Sequence, residues 1–396
     1  MARRVKYDWN YDADNHLYAD DASVNYELRG YDGNDRLFGN EGNDLLLGGD
    51  GNDRLWGGEG DDDIRGGNGN DYLYIDRGNN SYDGGSGSDI VYFQNVSTYG
   101  SNVAGYMWWS HEIEASNVGF SVDLSSGATR SQVSTINGPS AAYSDFWGTN
   151  TFANIQTVSM TDHNDVLRDN NGGHFLWGQD GNDLMEGRGG ADALHGGDGV
   201  DTASYESAGS RISADLLNNA GFFDDAEGDT FDEIENLIGS GFSDFLFGDN
   251  NNNRIDGGSG GSDTIVGRGG KDTLVGGSGI DTFRYDLMSD STTSVSGRDS
   301  ILDFVSGSDK IDLRSLDANS ATATAKYLPG NKAFDFIGTD SFDFGVRGQL
   351  RYSEVEDSAG VTFNRVEGDV NGDRVADFAI AVYSGGQGLS ELDFYL

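Results

Sequence analysis

A large apolar residue recurs every nine positions over the first part of the chain. Leu37, Leu46, Leu55, Ile64 and Leu73 each follow an aspartate by two residues. The positions between them are rich in glycine, asparagine and aspartate, which favour turns. A fixed short period of this kind indicates a solenoid whose recurring apolar side chain points inward and packs against the neighbouring turns.

The aspartates of this pattern repeat with the same period. Asp35, Asp44, Asp53, Asp62 and Asp71 occupy the sixth position of Gly-Gly-x-Gly-x-Asp-x-(large apolar)-x. Glycine permits positive φ and brings backbone carbonyls close to a shared ion, and the carboxylate is a hard oxygen ligand that suits Ca²⁺. Two nonapeptides make one turn, so ions stack in rows between successive loops. The sequence therefore predicts an all-β, calcium-bound parallel β-roll.

The nonapeptide resembles the repeat of the RTX family, proteins that Gram-negative bacteria export through type I secretion. The resemblance covers roughly half the chain, in three blocks at 30–92, 160–205 and 239–285. The row from Ile75 to Asp83 is degenerate, and the row from Gly257 to Val266 has ten residues, which predicts a bulge.

The region after the last repeat resembles the C-terminal domain that follows the repeats in serralysin-type metalloproteases. Alternating runs such as Ala379 to Tyr383 predict short strands that cap the roll, and a solenoid end needs such a cap because it would otherwise expose its core. The final residues, Asp393 to Leu396, resemble the terminal tetrapeptide of serralysin-like secretion substrates. A simple last strand is equally compatible with them.

We expect seven segments, with β inserts between the roll blocks. They are an N-terminal lead-in strand or cap at 1–29, roll block 1 at 30–92, a β insert at 93–159, roll block 2 at 160–205, a second β insert at 206–238, roll block 3 at 239–285, and a serralysin-like C-terminal cap with the secretion signal at 286–396.

A second kind of calcium loop is a candidate within the cap. Asp369, Asn371, Asp373 and Asp377 place oxygen side chains at positions 1, 3, 5 and 9 of an EF-hand-like loop. Arg374 stands where such loops usually have glycine, and the glutamate of the twelfth position is absent. The loop is thus compatible with a metal site and with a structural turn.

The expected calcium ligands come from the first, third and sixth positions of the rows and from the loop in the cap. They are Gly30, Asp32, Asp35, Gly39, Glu41, Asp44, Gly48, Asp50, Asp53, Gly57, Glu59, Asp62, Gly66, Asn68, Asp71, Asp89, Asp165, Gly178, Asp180, Asp183, Gly187, Asp192, Gly196, Asp198, Asp201, Asp244, Gly257, Asp263, Gly267, Asp272, Gly276, Asp281, Asp369, Asn371, Asp373 and Asp377.

Charge supports the need for cations. The chain has a formal net charge of -42, from 67 acidic and 25 basic residues, so it repels itself when compact unless counterions are present. An acidic disordered chain is disfavoured because almost every row keeps its apolar inward residue. Nucleic acid is disfavoured as a partner because its binding requires a basic footprint.

The remaining sequence features indicate export. The chain has no cysteine, so calcium must supply the crosslinks that a secreted protein would otherwise obtain from disulfides. We expect no Sec signal peptide, because Met1 to Asp8 has two arginines and no apolar core, and no transmembrane segment. The family resemblance implies a type I exporter as a partner and an extracellular location.

Catalysis is not expected. The His-Glu-x-x-His zinc motif of serralysin-type proteases is missing, since His111-Glu112 is followed by Ala115 where the second histidine belongs. The pair Trp108-Trp109 forms either a small core or a platform for a sugar ring. The sequence thus favours a non-catalytic surface, matrix or host-interaction protein. The alternatives are an extracellular protein that binds or modifies polysaccharide and, third, a membrane-active protein.

Overall fold

The computed structural model of this chain is built from strands, as the sequence predicts. Among the described residues, the helical elements are two three-residue 3₁₀ turns, Asp224–Ala226 and Glu391–Asp393. No helix among them is long and apolar enough to cross a bilayer. The described residues are 3–7, 14–21, 24–76, 78–92, 119–123, 131–136, 149–316, 318 and 333–396.

The chain divides into two compact units. Unit 1 comprises residues 1–201 and 232–234, and unit 2 comprises residues 202–231 and 235–396. The strands of unit 1 are β1 Arg4–Tyr7, β2 His16–Tyr18, β3 Tyr26–Asp32, β4 Arg36–Phe38, β5 Leu45–Asp50, β6 Arg54–Trp56, β7 Asp63–Asn68, β8 Tyr72–Tyr74, β9 Ser81–Ser86, β10 Ile90–Tyr92, β11 Gly119–Asp123, β12 Ser131–Ile136, β13 Thr149–Ala153, β14 Thr157–Ser159, β15 Val166–Arg168, β16 Phe175–Gly181, β17 Leu184–Glu186 and β18 Ala193–Gly199.

Unit 2 contains the later strands, and β22 spans the boundary between the units along the chain. They are β19 Thr202–Ser204, β20 Ser213–Asp215, β21 Ala220–Phe222, β22 Thr230–Asp232, β23 Asn236–Ile238, β24 Phe245–Phe247, β25 Arg254–Asp256, β26 Thr264–Val266, β27 Thr273–Val275, β28 Thr282–Arg284, β29 Ser300–Ile301, β30 Lys310–Asp312, β31 Asp335–Phe336, β32 Gln349–Glu356, β33 Thr362–Asp369, β34 Phe378–Val382 and β35 Phe394–Tyr395.

Parallel pairing in unit 1 has a register of eighteen residues, so two nonapeptides make one turn. On one face Leu28 of β3 pairs with Leu46 of β5, which pairs with Ile64 of β7. On the other face Leu37 of β4 pairs with Leu55 of β6. All five side chains are fully buried. The eighth position of each row therefore forms the core, because strand side chains alternate between the two faces of a sheet.

An aromatic stack follows the outer side of the second face. Tyr18, Phe38, Trp56 and Tyr74 lie on β2, β4, β6 and β8, with successive ring centroids 4.7, 4.4 and 4.1 Å apart and nearly parallel planes. Each stacked aromatic pair contributes about 0.5–1.5 kcal/mol beyond the area it buries. The rings cover one another's faces, so the stack supports the roll rather than offering flat platforms to a ligand.

Unit 2 repeats the roll and closes it. Leu246 of β24, Ile265 of β26 and Phe283 of β28 pair in one sheet and are fully buried. The ten-residue row places its extra residue in the turn between β25 and β26, since the pairing of both strands is continuous. The expected bulge is therefore absent from these strands.

Strands of the C-terminal region continue both sheets of the unit 2 roll. β34 pairs in parallel with β29, with Val382 opposite Ile301, and β35 pairs in parallel with β30, with Phe394 opposite Ile311. β33 pairs antiparallel with both β32 and β34. The last strand is thus part of the roll, and the predicted cap is built by strand pairing as well as by packing.

Two adjacent leucines in β5 test the inward position. Leu46→Ala should lower the free energy of unfolding by about 2–5 kcal/mol because it leaves a cavity, whereas Leu47→Ala, at a half-buried outward position, should cost much less. All six tryptophans lie between residues 9 and 177, so urea titration followed by tryptophan fluorescence in calcium reports on unit 1. Equal losses in the two variants would contradict this assignment of the core.

Candidate metal sites in the turns

The aspartate at the sixth position of each row is buried immediately before a strand begins. Asp44, Asp53 and Asp71 are completely buried, and Asp35 and Asp62 nearly so. Burying an ionised carboxylate is costly unless it is hydrogen-bonded and paired with positive charge. The environment of each oxygen therefore decides what the site can hold.

One oxygen of each carboxylate joins successive turns. The N–H of Asp35 donates to Oδ1 of Asp53 at 2.7 Å, and the N–H of Asp53 donates to Oδ1 of Asp71 at 2.8 Å. A second column runs along the other turns, where the N–H of Asp44 donates to Oδ1 of Asp62 at 2.7 Å. Both columns repeat every eighteen residues, so the aspartates of one column occupy equivalent places in stacked turns.

The other oxygen, Oδ2, has no hydrogen-bond partner in nine of these rows and is buried. It lies beside the first-position glycine of its own row. A Cβ on Gly257, for example, would lie 2.5 Å from Oδ2 of Asp263 and 2.5 Å from the carbonyl oxygen of Gly276. These rows, termed open here, contain Asp35, Asp44, Asp53, Asp62, Asp71, Asp89, Asp183, Asp263 and Asp272.

The backbone at the second position of the row separates open rows from closed ones. In every open row this residue has positive φ, for example Gly49 at 124° before Asp53 and Gln179 at 79° before Asp183. A closed row is one in which the N–H of the second residue donates to the side-chain oxygen, and there φ is not positive. The closed rows pair Thr161 with Asp165 at 2.9 Å, Ser240 with Asp244 at 2.6 Å, Asp249 with Asn253 at 2.8 Å and Val305 with Asp309 at 2.7 Å.

In an open row the carboxylate Oδ2 lies near a backbone carbonyl oxygen. Both atoms are hydrogen-bond acceptors, and no donor lies between them. The glycine at the first position is required, because a side chain there would collide with the carboxylate and with a carbonyl of the next turn. Two acceptors that face each other in a buried place are stable only when a proton or a cation lies with them. This donor set of carboxylate and carbonyl oxygens fits Ca²⁺.

Burial makes these carboxylates hard to ionise when no cation neutralises them. Desolvation is the main cause that raises the pKa of Asp53 to about 7 and that of Asp62 to about 8. The same cause raises the pKa of Asp183, Asp263 and Asp272 to about 8. These five aspartates therefore bind either protons or cations near neutral pH.

The other predicted ligands occupy different surroundings. The first-position glycines Gly30, Gly39, Gly48, Gly57, Gly66, Gly178, Gly187, Gly196, Gly257, Gly267 and Gly276 are all buried beside the sixth-position side chain of their row. The third-position side chains are exposed at Asp32, Asp50, Glu59, Asn68, Asp180 and Asp198 and half-buried at Glu41. Asn68 donates to Asp50 at 2.6 Å, so third-position side chains interact with one another on the surface.

Asp192, Asp201 and Asp281 continue the columns. The N–H of Asp183 donates to Oδ1 of Asp201 at 2.7 Å, and the N–H of Asp263 donates to Oδ1 of Asp281 at 2.9 Å. The N–H of His174 donates to Oδ1 of Asp192 at 2.7 Å.

The loop in the cap closes on itself. Asp369 accepts hydrogen bonds from the N–H groups of Asn371, Gly372 and Arg374 at 2.7–3.1 Å, and Asp377 accepts from Val370 N–H at 2.8 Å and from Asn371 at 3.0 Å. These bonds build a turn in which the aspartate oxygens already have donors. The structure thus brings the four oxygen-bearing residues together, in the form of a hydrogen-bonded turn.

The degenerate row of block 1 also closes without an ion. Asn80 replaces the sixth-position aspartate, and its amide and the Tyr82 hydroxyl both donate to Oδ1 of Asp76 at 2.9 Å. Asp76 and Tyr82 thus satisfy each other where other rows have glycine and leucine.

Two aspartates that continue these hydrogen-bonded columns are not among the predicted calcium ligands. The N–H of Asp272 donates to Oδ1 of Asp299 at 2.9 Å, and Oδ2 of Asp299 is buried without a hydrogen-bond partner. The N–H of Asp281 donates to Oδ1 of Asp309 at 3.1 Å. Each is followed by an isoleucine two residues later, which is the signal that could have identified them. The spacing hides it, because the intervals are 27 and 28 residues.

The predicted tryptophan pair Trp108-Trp109 and the His111-Glu112 pair lie outside the described residues. Asp232 and Glu233, near the restart of the repeats, lie against His195: Oδ2 of Asp232 is 2.8 Å from Nδ1, and Oε2 of Glu233 is 3.3 Å from Nε2.

Family comparisons agree with this geometry. A family described as the RTX calcium-binding nonapeptide repeat (4 copies) matches residues 29–64, 56–91, 161–194 and 169–203, and one described as Peptidase M10 serralysin C terminal matches residues 218–395. These matches include no protease domain. They confirm the predicted repeats and the predicted relationship of the C-terminal region.

Comparison with individual proteins adds less. No curated protein matches the chain. Among solved structures, the solution structure of the AlgE6R3 subunit from the Azotobacter vinelandii mannuronan C5-epimerase is similar over 39% of this chain and 78% of that chain, with 23% sequence identity and a TM-score of 0.22.

The raised pKa values predict an inverted pH dependence when divalent cations are absent. In the folded state the pKa of Asp62 and that of Asp183 are raised to about 8, whereas the ordinary aspartate pKa is 3.8. The folded state therefore holds more protons than the unfolded state between these values, and stability falls as pH rises through this window.

Metal-free protein should accordingly gain β structure, measured by far-UV circular dichroism, when the pH is lowered from about 8 to about 5. Because acid also reduces the overall negative charge, the Asp53→Asn/Asp62→Asn double variant serves as the control and should show a smaller change. A wild-type spectrum that loses β structure on acidification would contradict the assignment.

Proposed function

We propose that this chain, which carries RTX calcium-binding nonapeptide repeats and a serralysin C-terminal region, is a secreted, non-catalytic protein whose roll folds when its open rows bind calcium outside the cell. RTX repeats and this C-terminal region are typical of type I secreted extracellular proteins. The proposal rests on one observation above all: the buried Oδ2 atoms of the open rows, which have no hydrogen-bond partner.

The residues that would hold calcium are the sixth-position aspartates and the carbonyls of the glycine turns. Asp53 illustrates the arrangement, because its Oδ1 is fixed by the N–H of Asp35 while its Oδ2 lies beside Gly48 and the carbonyl of Gly66. Bound calcium supplies positive charge and coordination to these oxygens. The aspartates of successive turns would then be neutralised together rather than repelling one another.

Closed rows support this interpretation, because they show what replaces a cation. In the closed row of Asn253, the amide donates to the carbonyl of Glu235 at 2.8 Å while Oδ1 accepts the N–H of Asp249. Every polar atom of that side chain therefore has a partner within the protein. An aspartate in an open row has no equivalent donor for Oδ2, so its turn requires an ion or a proton.

The magnitude of the effect is sufficient to control folding. A site with a Kd of about 10⁻⁴ M contributes roughly 1.8 kcal/mol at about 2 mM calcium. A handful of such sites matches the total stability of an ordinary domain, about 5–15 kcal/mol. With a net charge of -42, the chain would remain expanded where calcium is scarce, which is the form that a type I exporter can thread.

The burial of Asp393 supports export before folding. In the folded protein Asp393 is fully buried, and its carboxylate accepts hydrogen bonds from the N–H of Gly307 at 2.6 Å and from the Ser306 hydroxyl at 2.9 Å. An exporter that reads these residues would therefore have to read them in the unfolded chain. After folding we propose a surface, matrix or host-interaction role, which depends on the folded exterior.

Asp53 and Asp50 form a matched pair within one row. Asp53→Asn should raise the calcium concentration at the midpoint of the folding transition and should lower the calcium stoichiometry, because it removes a buried ligand charge. Asp50→Asn, on the exposed third-position side chain, should change neither. The measurements are far-UV circular dichroism during calcium titration of metal-free protein and calorimetric stoichiometry. A wild-type protein already folded without metal at pH 8, and unchanged by calcium, would refute the proposal.

Asp244 provides a second control, in a closed row. Both of its oxygens already accept hydrogen bonds, from the N–H of Ile212 at 2.8 Å and from the N–H of Ser240 at 2.6 Å. Asp244→Asn should therefore leave the calcium stoichiometry unchanged, although it can alter stability. A loss of calcium equal to that of Asp53→Asn would show that hydrogen bonding at the second position does not decide occupancy.

A further inference from the structure

One row of unit 1 replaces two of the residues that define the repeat. In the row that begins at residue 169, Asp169 stands at the first position, where all nine open rows have glycine. His174 stands at the sixth position, where open rows have aspartate. Leu176 keeps the inward eighth position and is fully buried. The turn therefore retains the backbone of the roll but presents an imidazole and an extra carboxylate.

These side chains converge with the aspartate of the next turn. Asp169, His174 and Asp192 each bring one potential ligand atom into a group whose members lie within 4.8 Å of one another. Among the described residues, this is the one group of acidic and histidine side chains close enough together to hold a metal ion. The place is equivalent to that of the open rows, because Asp192 is paired with the N–H of His174 just as Asp53 is paired with the N–H of Asp35.

Backbone groups fix both carboxylates. The N–H of Asn170 donates to Oδ1 of Asp169 at 2.7 Å, and the N–H of His174 donates to Oδ1 of Asp192 at 2.7 Å. Anchoring of one oxygen by an N–H leaves the orientation of the carboxylate defined, as is usual for metal ligands. The side chains are therefore positioned before any ion arrives.

Burial provides an independent indication of a ligand. Asp169 is 0% exposed, and its Oδ2 is buried. This atom lies 2.6 Å from Nδ1 of His174, and the hydrogen bond with this carboxylate raises the pKa of the imidazole. Two such atoms that point into one small space fit ligands of a common ion. Around a tetrahedral zinc the ligand atoms lie about 3.4 Å apart, which small side-chain rotations would achieve.

We propose that Asp169, His174 and Asp192 form a site for a first-row divalent transition ion, with zinc as its representative, within a roll whose open rows take calcium. An imidazole nitrogen suits zinc, copper, iron or nickel and is a poor ligand for calcium, which prefers oxygen. The His174 side chain is 14% exposed, so the site can be reached from solvent.

A second histidine offers a matched comparison. His195 also lies beside two acidic side chains, Asp232 and Glu233, but those side chains are 73% and 56% exposed. Exposed pairs are weakened by water and by salt, so this group should bind an ion much more weakly. The inference for His174 uses the register of the open rows but not their occupancy, and it can therefore fail or succeed independently of the proposed function.

The test is titration of calcium-saturated full-length protein with Co²⁺, followed by visible d–d absorption, and with Zn²⁺, followed by calorimetry. We expect one tight equivalent of either ion and a tetrahedral Co²⁺ spectrum. His174→Asp, which restores the residue type of an open row, should abolish the spectrum and weaken Zn²⁺ binding at least about 100-fold. His195→Asn should retain both. Far-UV circular dichroism during calcium titration should show that His174→Asp still folds with calcium.

Three results would overturn the proposal. The first is a silent Co²⁺ titration of wild-type protein, which would mean that His174 and Asp169 form only an internal ion pair. The second is displacement of Co²⁺ by millimolar calcium, which would make this an ordinary calcium row. The third is loss of the spectrum in His195→Asn but not in His174→Asp. A failure of calcium to fold the protein would count against the proposed function alone.

Discussion

The structure depends on the buried carboxylate at the sixth position of each row, whose two oxygens have different surroundings. One oxygen accepts a backbone N–H from the preceding turn and so holds the stack of turns together. The other lies among carbonyl oxygens, and the sign of φ at the second position of the row decides whether it receives a donor. Positive φ in nine open rows turns that N–H elsewhere. Strain of this kind at non-glycine residues such as Tyr31 and Gln179 is retained when it serves a site.

The two kinds of row are distributed along the roll in a way that bears on folding. Closed rows occur where the repeats restart after each insert, at Asp165 and at Asp244 with the next row at Asn253, and at the C-terminal end of the unit 2 roll, at Asp309. A closed row supplies its own donors, so it can form without a cation. Open rows stack on the closed row, and each adds the negative charge of a buried aspartate. We infer that closed rows provide edges from which a roll can grow when cations become available.

The same backbone can accept different ions because only two positions of the row reach the buried space. Aspartate at position six with glycine at position one yields an oxygen site of the kind that calcium prefers. Aspartate at position one with histidine at position six, as in Asp169 and His174, yields a mixed nitrogen and oxygen site. The residue at position eight is apolar in both kinds of row, so the packing of the core is the same in both. The choice of ion is thus separate from the packing of the apolar core within one row of nine residues.

Local sequence determined the period of the roll, the inward leucines, the buried sixth-position aspartates and the relationship of the C-terminal region, because each depends on residues within one nonapeptide. It could not reveal every carboxylate that would lack a donor, since non-glycine residues such as Tyr31 and Gln179 also adopt positive φ at the second position. Asp299 and Asp309 were hidden because their neighbours in space stand 27 and 28 residues away. Contact between Asp169, His174 and Asp192 likewise arises only when one turn stacks on the next. The tertiary structure decided these points, because a solenoid places residues from successive turns side by side.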